Sequence, residues 1–525
     1  MQSTLPSGIL SLILLFFLLS GCTGQSNPAP KEHKNDTTPF FSSDSFTTSD
    51  KILLTEGLTH HSISIPSSSD SAYFTVDIGF YTEKADAEAK KNELIDNNFD
   101  ARVHHVVDSM PNDGKSVGYV VQSGELTERS LADELQKDLQ DFGYTSAQIT
   151  NTSYDGTKEL AGPLEINILE LDPTVFKGEI KSMLAHDSIT GREKLTAMSA
   201  RTDAIAGING GYFVVEEEDG VPGTPAGLTI LNGEIVSEAA GERTSLHFRE
   251  STVEIAAART NIKLENQHGE SKIVHGINRS PGLIRNCGGW HDDNLTEPKH
   301  DVTCTAEDEL ILFNRVFGDS TPEGNGVEAI LDEEGIVTDV YQTRGNPIPD
   351  KGRVVSAIGE EAKWLKSHAK VGSAFFIHSA VFTNDLEMDR GEDMFTINGA
   401  PELLKNGVIT VPAHKEGFRW SSEFYYYFAL HRHPRTIVGI KENGNLLFVT
   451  VDGRNPERSI GLNFVESAQL LQALGAVDGI NLDGGGSTSL VIDQQLVNSP
   501  SDESGERPIG DALIFSDNET TNLPQ

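Results

Sequence analysis

Near the C-terminus a carboxylate stands directly before three glycines, in the segment Asp478-Gly-Ile-Asn-Leu-Asp-Gly-Gly-Gly-Ser-Thr-Ser-Leu490. Ile480 and Leu482 alternate as in a short buried strand, so the side chains between and after them share the opposite face. Successive backbone N–H groups of a glycine loop can bind an anion. The pattern predicts that Asp483 lies beside an anion-binding loop; a turn between two strands with no ligand is the alternative. The predicted binding residues here are Asn481, Gly484, Gly485, Gly486, Ser487 and Thr488.

Two arginines lie at the ends of a predicted β-hairpin, whose strands are joined by Asn443-Gly444. Arg435 and Thr436 enter the first strand, and Asp452-Gly-Arg454 leaves the second, so both arginines belong to one edge. Arginine is well suited to bidentate recognition of phosphate oxygens. The hairpin therefore predicts a phosphate-binding edge, with a structural ion pair to Asp452 as the alternative.

A third segment, Ala206-Gly-Ile-Asn-Gly-Gly-Tyr-Phe213, is an apolar strand that ends at Asn209. The glycines from Gly210 onward allow the backbone to approach a ligand or to turn sharply. Taken alone, the segment is also typical of an ordinary turn.

Together these segments resemble the phosphodiester glycosidase family. Asn-Gly-Gly-Tyr-Phe, Pro-Arg-Thr, Val-Asp-Gly-Arg, a helical Glu466-Ser-Ala and Asn-Leu-Asp-Gly-Gly-Gly-Ser follow one another in the family's order. Further matches are Asn278-Arg279, Gly399-Ala-Pro-Glu-Leu-Leu404 and Glu506-Arg507-Pro508. The resemblance covers residues 160–518.

The resemblance implies cleavage of the C1–O bond of a sugar-1-phosphodiester of the N-acetylglucosamine type. Phosphate leaves readily, so a strong general acid is less necessary than in ordinary glycosidases. The site then needs cations on the phosphate, for which Arg279, Arg435 and Arg454 are the candidates, and a carboxylate near C1. The candidate carboxylates are Asp483, Asp452 and Glu466, and we expect Asp483 to act near the anomeric carbon as base or ion-pair stabiliser.

These residues need a scaffold, and residues 160–518 show many short apolar strands separated by Gly, Asn and Asp turns. Residues 164–171, 309–313, 436–440 and 446–451 are examples. Clear helices are few, at 193–201, 359–366 and 464–474. The pattern predicts an α+β domain around a large mixed sheet.

Residues 72–153 contain an internal repeat of the order strand, helix, strand, and the sequences of its two copies align without a gap. Phe74 aligns with Tyr119, and Gly79 with Gly124. The order βαββαβ predicts a small ferredoxin-like module. It resembles the SPOR domain, which implies binding to peptidoglycan glycan strands; a ferredoxin-like module without glycan affinity is the alternative.

The N-terminus predicts export. An apolar run ends at Leu19-Ser-Gly-Cys22, which resembles the lipobox of bacterial lipoproteins. Residues 1–22 are then a lipoprotein-type signal peptide with lipidation at Cys22, and a plain secretory signal is the alternative. Residues 23–70, rich in Ser, Thr, Asp and Pro, predict a disordered linker. The expected location is the outer membrane, held by the lipid anchor and facing the periplasm or cell surface.

The formal net charge of −38 argues against a nucleic-acid partner, which would require a basic surface. Cys287 and Cys304 are the remaining cysteines of an exported chain, so we predict a disulfide rather than a zinc site. No cofactor is expected. Calcium at the acidic stretches 216–219 and 387–393 is the alternative to solvated charge, although their spacing fits no EF-hand.

The sequence as a whole predicts an envelope hydrolase that acts on a phosphodiester-linked glycan. Two alternatives remain: a glycosyl transferase that matures an exopolysaccharide, and a non-catalytic envelope protein that binds glycans through both domains.

Overall fold

The computed structural model describes residue 41 and residues 47–68, 72–108, 114–249, 252–288 and 298–517. The predicted signal peptide and Cys22 lie outside the described residues. The first strands are β1 (Thr47–Thr48), β2 (Ile52–Thr55), β3 (Leu58–Ile65), β4 (Phe74–Tyr81), β5 (Arg102–Val107), β6 (Ser116–Leu126), β7 (Gln148–Asn151), β8 (Leu164–Leu171), β9 (Glu179–Leu184), β10 (Ala206–Asn209), β11 (Thr229–Leu231), β12 (Glu234–Ser237), β13 (Thr244–Arg249), β14 (Thr252–Asn266), β15 (Ser271–Ile273) and β16 (Gly276–Ile277). The later strands are β17 (Leu283–Arg285), β18 (Thr303–Thr305), β19 (Glu309–Phe313), β20 (Gly324–Leu331), β21 (Val337–Arg344), β22 (Arg353–Ile358), β23 (Phe375–Thr383), β24 (Leu386–Glu387), β25 (Phe395–Asn398), β26 (Glu402–Lys405), β27 (Val408–Ile409), β28 (Arg435–Lys441), β29 (Leu446–Val451), β30 (Ala476–Asn481), β31 (Leu490–Ile492), β32 (Gln495–Leu496) and β33 (Asp511–Ser516).

The helices are α1 (Lys84–Asp96), α2 (Arg129–Phe142), α3 (Leu195–Arg201), α4 (Gly359–His368), α5 (Ser422–Phe424) and α6 (Phe464–Ala473). A π-helix, Tyr425–Leu430, follows α5 directly. The mixed α+β content, mostly strands in several sheets, agrees with the predicted class. Within the described residues, no helix combines the length and apolar character needed to cross a membrane.

The large domain is built on a nine-stranded sheet with the path β1-β3-β8-β29-β28-β30-β26-β27, with β2 paired to β3. One face is covered by α6 through Phe464 and Leu471, which pack with Ile166 and Val449. The other face packs against the sheet β32-β31-β10-β33-β9. The central strands of the nine-stranded sheet are therefore buried on both faces. For this reason they appear in the sequence as nearly continuous apolar runs, as in β29.

The prediction of a disordered linker over residues 23–70 is wrong for residues 47–65, which form β1, β2 and β3. All eight residues of β3 pair with β8, from Leu58 opposite Leu171 to Ile65 opposite Leu164. Leu58, Ile63 and Ile65 are buried. Serines and histidines between them masked an alternating pattern, and the strand is stable because β8 supplies its hydrogen bonds.

Residues 74–151 therefore form an insertion between β3 and β8, two strands of the central sheet. The inserted module has an antiparallel sheet in the order β5-β6-β4-β7 and two helices. Both helices pack on one sheet face, where Leu94 and Leu139 meet Val76 and Val121. The other face carries Val120, which packs with residues of the π-helix in the core of the large domain. The module is thus packed against the large domain.

Two further sheets, β12-β11-β25-β13-β14-β23-β24 with β15 at β14, and β16-β19-β22-β20-β21, share a second core. Leu264 and Val381 of the first meet Leu310 and Val355 of the second in that core.

Candidate active site

A cavity of about 310 Å³ opens where β10 and β30 end and β28 begins. Its volume is at the lower end of the range for small-molecule sites. Predicted site residues on its wall are Arg435, Arg454, Asp483, Gly484, Gly485 and Gly486. Other lining residues include Tyr212, Arg285, His300, Asp301, Tyr427, Phe428, His433 and Arg507.

Asn209, at the end of β10, forms hydrogen bonds that link this strand to the start of β28 and to the segment after β30. Its Nδ2 donates to the carbonyl oxygen of Asp483 at 2.8 Å. Its Oδ1 accepts from Thr436 Oγ1 at 2.7 Å and from the Ser489 amide at 3.1 Å. Gly210 adds a backbone bond, because its carbonyl accepts from the Asp483 amide. Asn209, Gly210 and Thr436, predicted to bind ligand, instead position the residues that line the cavity.

Of the three candidate carboxylates, Asp483 is the one that lies directly on the cavity wall, just after the end of β30. Burial raises the pKa of Asp483 to about 6, while the Ser487 hydroxyl, Arg507 and the Gly484 amide act in the opposite direction. The Gly484 amide donates to its Oδ1 at 2.9 Å. The side chain is half-buried and adjoins the cavity, so the carboxylate is both oriented and accessible.

The glycine loop shapes the cavity wall but offers fewer free amides than the sequence predicted. The Gly485 amide donates to the Pro434 carbonyl, and the amides of Ser487 and Thr488 donate to carbonyls of the loop itself. Gly485 has φ +58° and Arg454 Nη2 would lie 3.1 Å from an added Cβ, so a side chain here would be strained and would crowd that guanidinium. The loop is glycine-rich because backbone and arginine approach closely.

Asn481, Ser487 and Thr488 lie behind this wall and do not line the cavity. Asn481 Nδ2 donates to Tyr212 Oη at 2.8 Å and to the Ala400 carbonyl at 2.9 Å. It thereby holds Tyr212, which does line the cavity.

Arg435 is buried beside the cavity. Its Nε donates to the Leu462 carbonyl at 2.9 Å and its Nη2 to the Phe428 carbonyl at 3.0 Å. The guanidinium lies 4.3 Å from the ring centroid of Phe464. Burial lowers the pKa of Arg435 to about 10, so it remains a cation at neutral pH. No described carboxylate forms an ion pair with it.

Arg454 reaches the same cavity from the end of the hairpin, with a backbone φ of +60°. His433 orients it: His433 Nε2 lies 2.6 Å from the Tyr427 carbonyl and so carries the proton, leaving Nδ1 to accept from Arg454 Nε at 3.4 Å. Burial and the nearby arginines hold the pKa of His433 well below its usual value, so the ring is neutral. Arg454, like Arg435, pairs with no carboxylate among the described residues.

Sequence reasoning missed two further arginines on the cavity wall. Arg507 forms a bidentate ion pair with Asp502, at 2.7 and 3.0 Å. Arg285 is bound by Asp219 at 3.1 Å and by Asp301. The Glu506-Arg507-Pro508 motif could have identified Arg507 as a site residue. No sequence motif marks Arg285, whose position at the cavity follows only from its tertiary contacts.

Buried His300 was also missed. Its ring packs edge-on against Tyr212, with centroids 4.4 Å apart. The pKa of His300 is held well below its usual value by burial, followed by Arg243, so it too is neutral.

Three residues predicted to act at the site lie elsewhere. Asp452 does not line the cavity; its Oδ1 accepts from the Ser499 amide at 3.0 Å, which fastens the segment after β32. Glu466 caps α6 and pairs with buried Arg432 at 2.6 Å. Arg279 is held between Glu238 and Glu309, each at 2.6 Å. All three are satisfied by protein partners, so the structure gives them structural roles.

Cys287 and Cys304 form the predicted disulfide. The bond lies next to the hairpin of β17 and β18, whose residue Arg285 reaches the cavity. It therefore anchors one wall of the site.

The acidic stretch at 216–219 contains a short 3₁₀ turn, and Asp219 there pairs with Arg285. In the described parts of the chain, no cluster of three or more His, Cys, Asp or Glu side chains is placed to hold a metal ion.

Comparison with known proteins identifies two domains. Residues 325–516 match the family model of the phosphodiester glycosidases, and residues 70–150 match that of the SPOR domain. N-acetylglucosamine-1-phosphodiester alpha-N-acetylglucosaminidase of Bos taurus is 43% identical over 110 residues, 20% of this chain and 20% of that protein. A prophage-derived protein of Bacillus subtilis is 35% identical over 85 residues, 16% of this chain and 13% of that protein. The chain thus matches one fifth or less of the length of these relatives.

Similar solved structures cover far more of the chain. The crystal structure of an exported protein from Burkholderia pseudomallei has a TM-score of 0.81 and 26% identity, covering 90% of this chain and 97% of that one. A structure from Synechocystis has a TM-score of 0.52 and 16% identity, covering 90% and 76%, and shows a likeness of fold.

Proposed function

We propose that this chain, which carries a phosphodiester glycosidase domain and a SPOR domain, hydrolyses a sugar-1-phosphodiester in an envelope or extracellular glycan. The proposed sugar is N-acetylglucosamine or a close analogue, by analogy with the relative from Bos taurus.

One observation carries the proposal. Arg435 and Arg454 adjoin the same cavity as Asp483, and neither arginine has a carboxylate partner among the described residues. An uncompensated guanidinium is costly to bury, as at Arg435, and the exposed Arg454 adds a second cation at the same cavity, so the pair favours an anionic ligand. Phosphate fits because its oxygens match the fork of N–H donors.

The chemistry follows from this charge arrangement. Water attacks the anomeric carbon, the C1–O bond breaks, and its electron pair stays on the departing phosphate. Arg435 and Arg454 stabilise the phosphate in the transition state. Asp483, in its ionised form, either accepts the proton of the attacking water or stabilises the positive charge at C1, in which case that proton passes to the departing phosphate.

The test is release of N-acetylglucosamine from UDP-N-acetylglucosamine by the chain without residues 1–22. Arg454→Ala should lower kcat/KM about ten- to hundredfold, since a charge-assisted hydrogen bond contributes about 1.5–3 kcal/mol. Arg458→Ala is the matched control, because this exposed arginine of the same segment does not line the cavity. Equal losses in both variants, or no release by the wild-type chain, would contradict the proposal.

The same assay separates hydrolysis from transfer. With an acceptor glycan present, a hydrolase gives free N-acetylglucosamine, whereas a transferase gives an elongated glycan. A protein that only binds glycans gives neither product.

We further propose that the SPOR domain retains the enzyme on peptidoglycan glycan strands in the envelope, at the outer membrane if Cys22 is lipidated. The exported relative of Burkholderia pseudomallei supports an envelope location. The test is co-sedimentation of the chain with sacculi treated with an amidase; failure to sediment would remove this part of the proposal.

A further inference from the structure

A second cavity, of about 360 Å³, lies between the SPOR domain and the segment before the π-helix. We propose that this groove binds the uncharged glycan attached to the phosphate of the substrate, as a continuation of the candidate active site. This inference rests on the proposed function, because it concerns the substrate of the same site.

The groove is formed jointly by both domains. Gly79, Ser146 and Gln148 of the SPOR domain face Trp420 and Glu423 of the large domain across it. Neither domain alone has both walls.

Two residues make the groove continuous with the candidate active site, because Phe424 and Tyr427 line both cavities. Tyr427 is fixed in this position, since its Oη donates to Asp77 Oδ2 at 3.0 Å. Asp77 is held in turn by Gln122 Nε2, which donates to its Oδ1 at 2.8 Å. Nearby, Tyr425 Oη donates to Asp108 Oδ1 of the SPOR domain at 2.9 Å. The groove is therefore a built feature of the domain interface.

A row of aromatic rings leads from the groove into the candidate active site. The ring centroids of Trp420 and Phe424 are 5.1 Å apart, and those of Phe424 and Phe428 are 5.0 Å apart with ring planes at 17°. Trp420 remains 37% exposed. The apolar C–H faces of sugar rings pack on such aromatic faces, and the amide of Gln148 can bind their hydroxyl groups.

Charge distinguishes the two cavities and orients the substrate. The groove is lined by Asp77 and Glu423, and no Lys or Arg among the described residues lines it. The candidate active site has the opposite balance, because Arg435 and Arg454 line it and neither has a carboxylate partner in the part of the chain that the structure describes. The phosphate is therefore drawn to the active site, and the groove accepts the neutral part of the glycan.

The experiment compares two substrates of the full chain without residues 1–22. One is the methyl phosphodiester of N-acetylglucosamine-1-phosphate, and the other carries a neutral trisaccharide in place of methyl. Trp420→Ala should raise KM for the trisaccharide substrate about tenfold, and Gln148→Ala about threefold, with kcat and the methyl substrate unchanged within twofold. These factors correspond to about 1.4 and 0.7 kcal/mol of lost binding.

Trp420→Phe is the matched control. Trp420 Nε1 donates to the carbonyl of His300 at 3.0 Å, and the phenylalanine variant removes this bond while it keeps an aromatic face. Trp420→Phe should therefore retain a KM close to that of the wild type for the trisaccharide substrate. An equal rise in KM for both substrates would show that Trp420 acts through His300, and unchanged KM values would show that the groove binds no glycan; either result overturns the proposal.

Calorimetric titration with the free trisaccharide tests the groove without catalysis. Binding by the wild type that is lost in Trp420→Ala supports the groove even if neither phosphodiester is hydrolysed, an outcome that would reject the proposed function alone. No binding by the wild type would reject the groove.

Discussion

Replacement of Asp483 by Asn should strongly lower kcat and at the same time stabilise the protein at neutral pH. The ionised carboxylate is the group that we propose to act at the anomeric carbon, and positioned acid–base groups contribute about 10²–10⁴-fold to rate. We therefore expect kcat to fall at least a hundredfold. The wild-type rate should fall as the pH decreases through about 6, because protonation removes the active carboxylate.

The stabilisation follows from the same desolvation. Burial raises the pKa of Asp483 from 3.8 to about 6. Between these pH values the folded state holds a proton that the unfolded state has released, so the stability contributed by this residue decreases as the pH rises. Above pH 6 the ionised form of Asp483 lowers the free energy of unfolding by about 3 kcal/mol, because each tenfold change in proton affinity corresponds to about 1.4 kcal/mol. Solvent reaches the half-buried side chain, so we expect Asn to recover about 1–2 kcal/mol.

The assays are release of N-acetylglucosamine from pH 4 to pH 8 and thermal unfolding at pH 4 and pH 7.5. Asp483→Asn should raise Tm by a few degrees at pH 7.5 and by less at pH 4. Asp452→Asn is the matched control: it removes a buried carboxylate outside the cavity and should keep activity within severalfold. An equal loss of activity in Asp452→Asn and Asp483→Asn, or the same change in Tm at both pH values, would contradict this role of Asp483.

Three further outcomes are expected. Ile63→Ala should destabilise the protein by about 2–5 kcal/mol in denaturant unfolding, because Ile63 is buried in β3 of the central sheet; an unaffected midpoint would place this strand outside the folded core. Removal of the disulfide by Cys287→Ser and Cys304→Ser should lower the free energy of unfolding by about 3 kcal/mol. It should also raise KM, because the disulfide anchors the cavity wall that carries Arg285. Glu466→Gln should destabilise by about 3–5 kcal/mol, because Arg432 is left buried without a counter-charge, while kcat of the folded protein is retained; a selective loss of kcat would restore a catalytic role for Glu466.

The strand ends that build the site could be predicted because their signals are local. An apolar run that stops at a polar residue, with glycines one to three positions later, marks the end of a strand, as at Asn209 and Asn481. The hairpin of β28 and β29 follows from its turn, and it brings Arg435 and Arg454 to one edge. Such features depend on neighbours a few residues away, so the sequence contains them.

The roles of the charged side chains could not be predicted in this way. Arg279 and Arg435 are the same residue type, and both lie in segments that resemble the family. Arg279 is neutralised by Glu238 and Glu309, whereas Arg435 has backbone carbonyl partners and an open cavity. The partner that decides the role comes from a distant part of the chain, and residue type carries no information about it.

From residue types and spacing alone, this protein is an α+β chain with a repeat module, a disulfide and a carboxylate beside a glycine loop. The tertiary structure alone decided three further features. The strand β3 joins the central sheet, and the inserted module packs on the π-helix. Of the three candidate carboxylates, Asp483 alone faces the cavity. The division has a physical cause. Strands and turns arise from interactions between near neighbours, whereas burial, ion pairing and access to a cavity depend on segments hundreds of residues apart that only the packed core brings together.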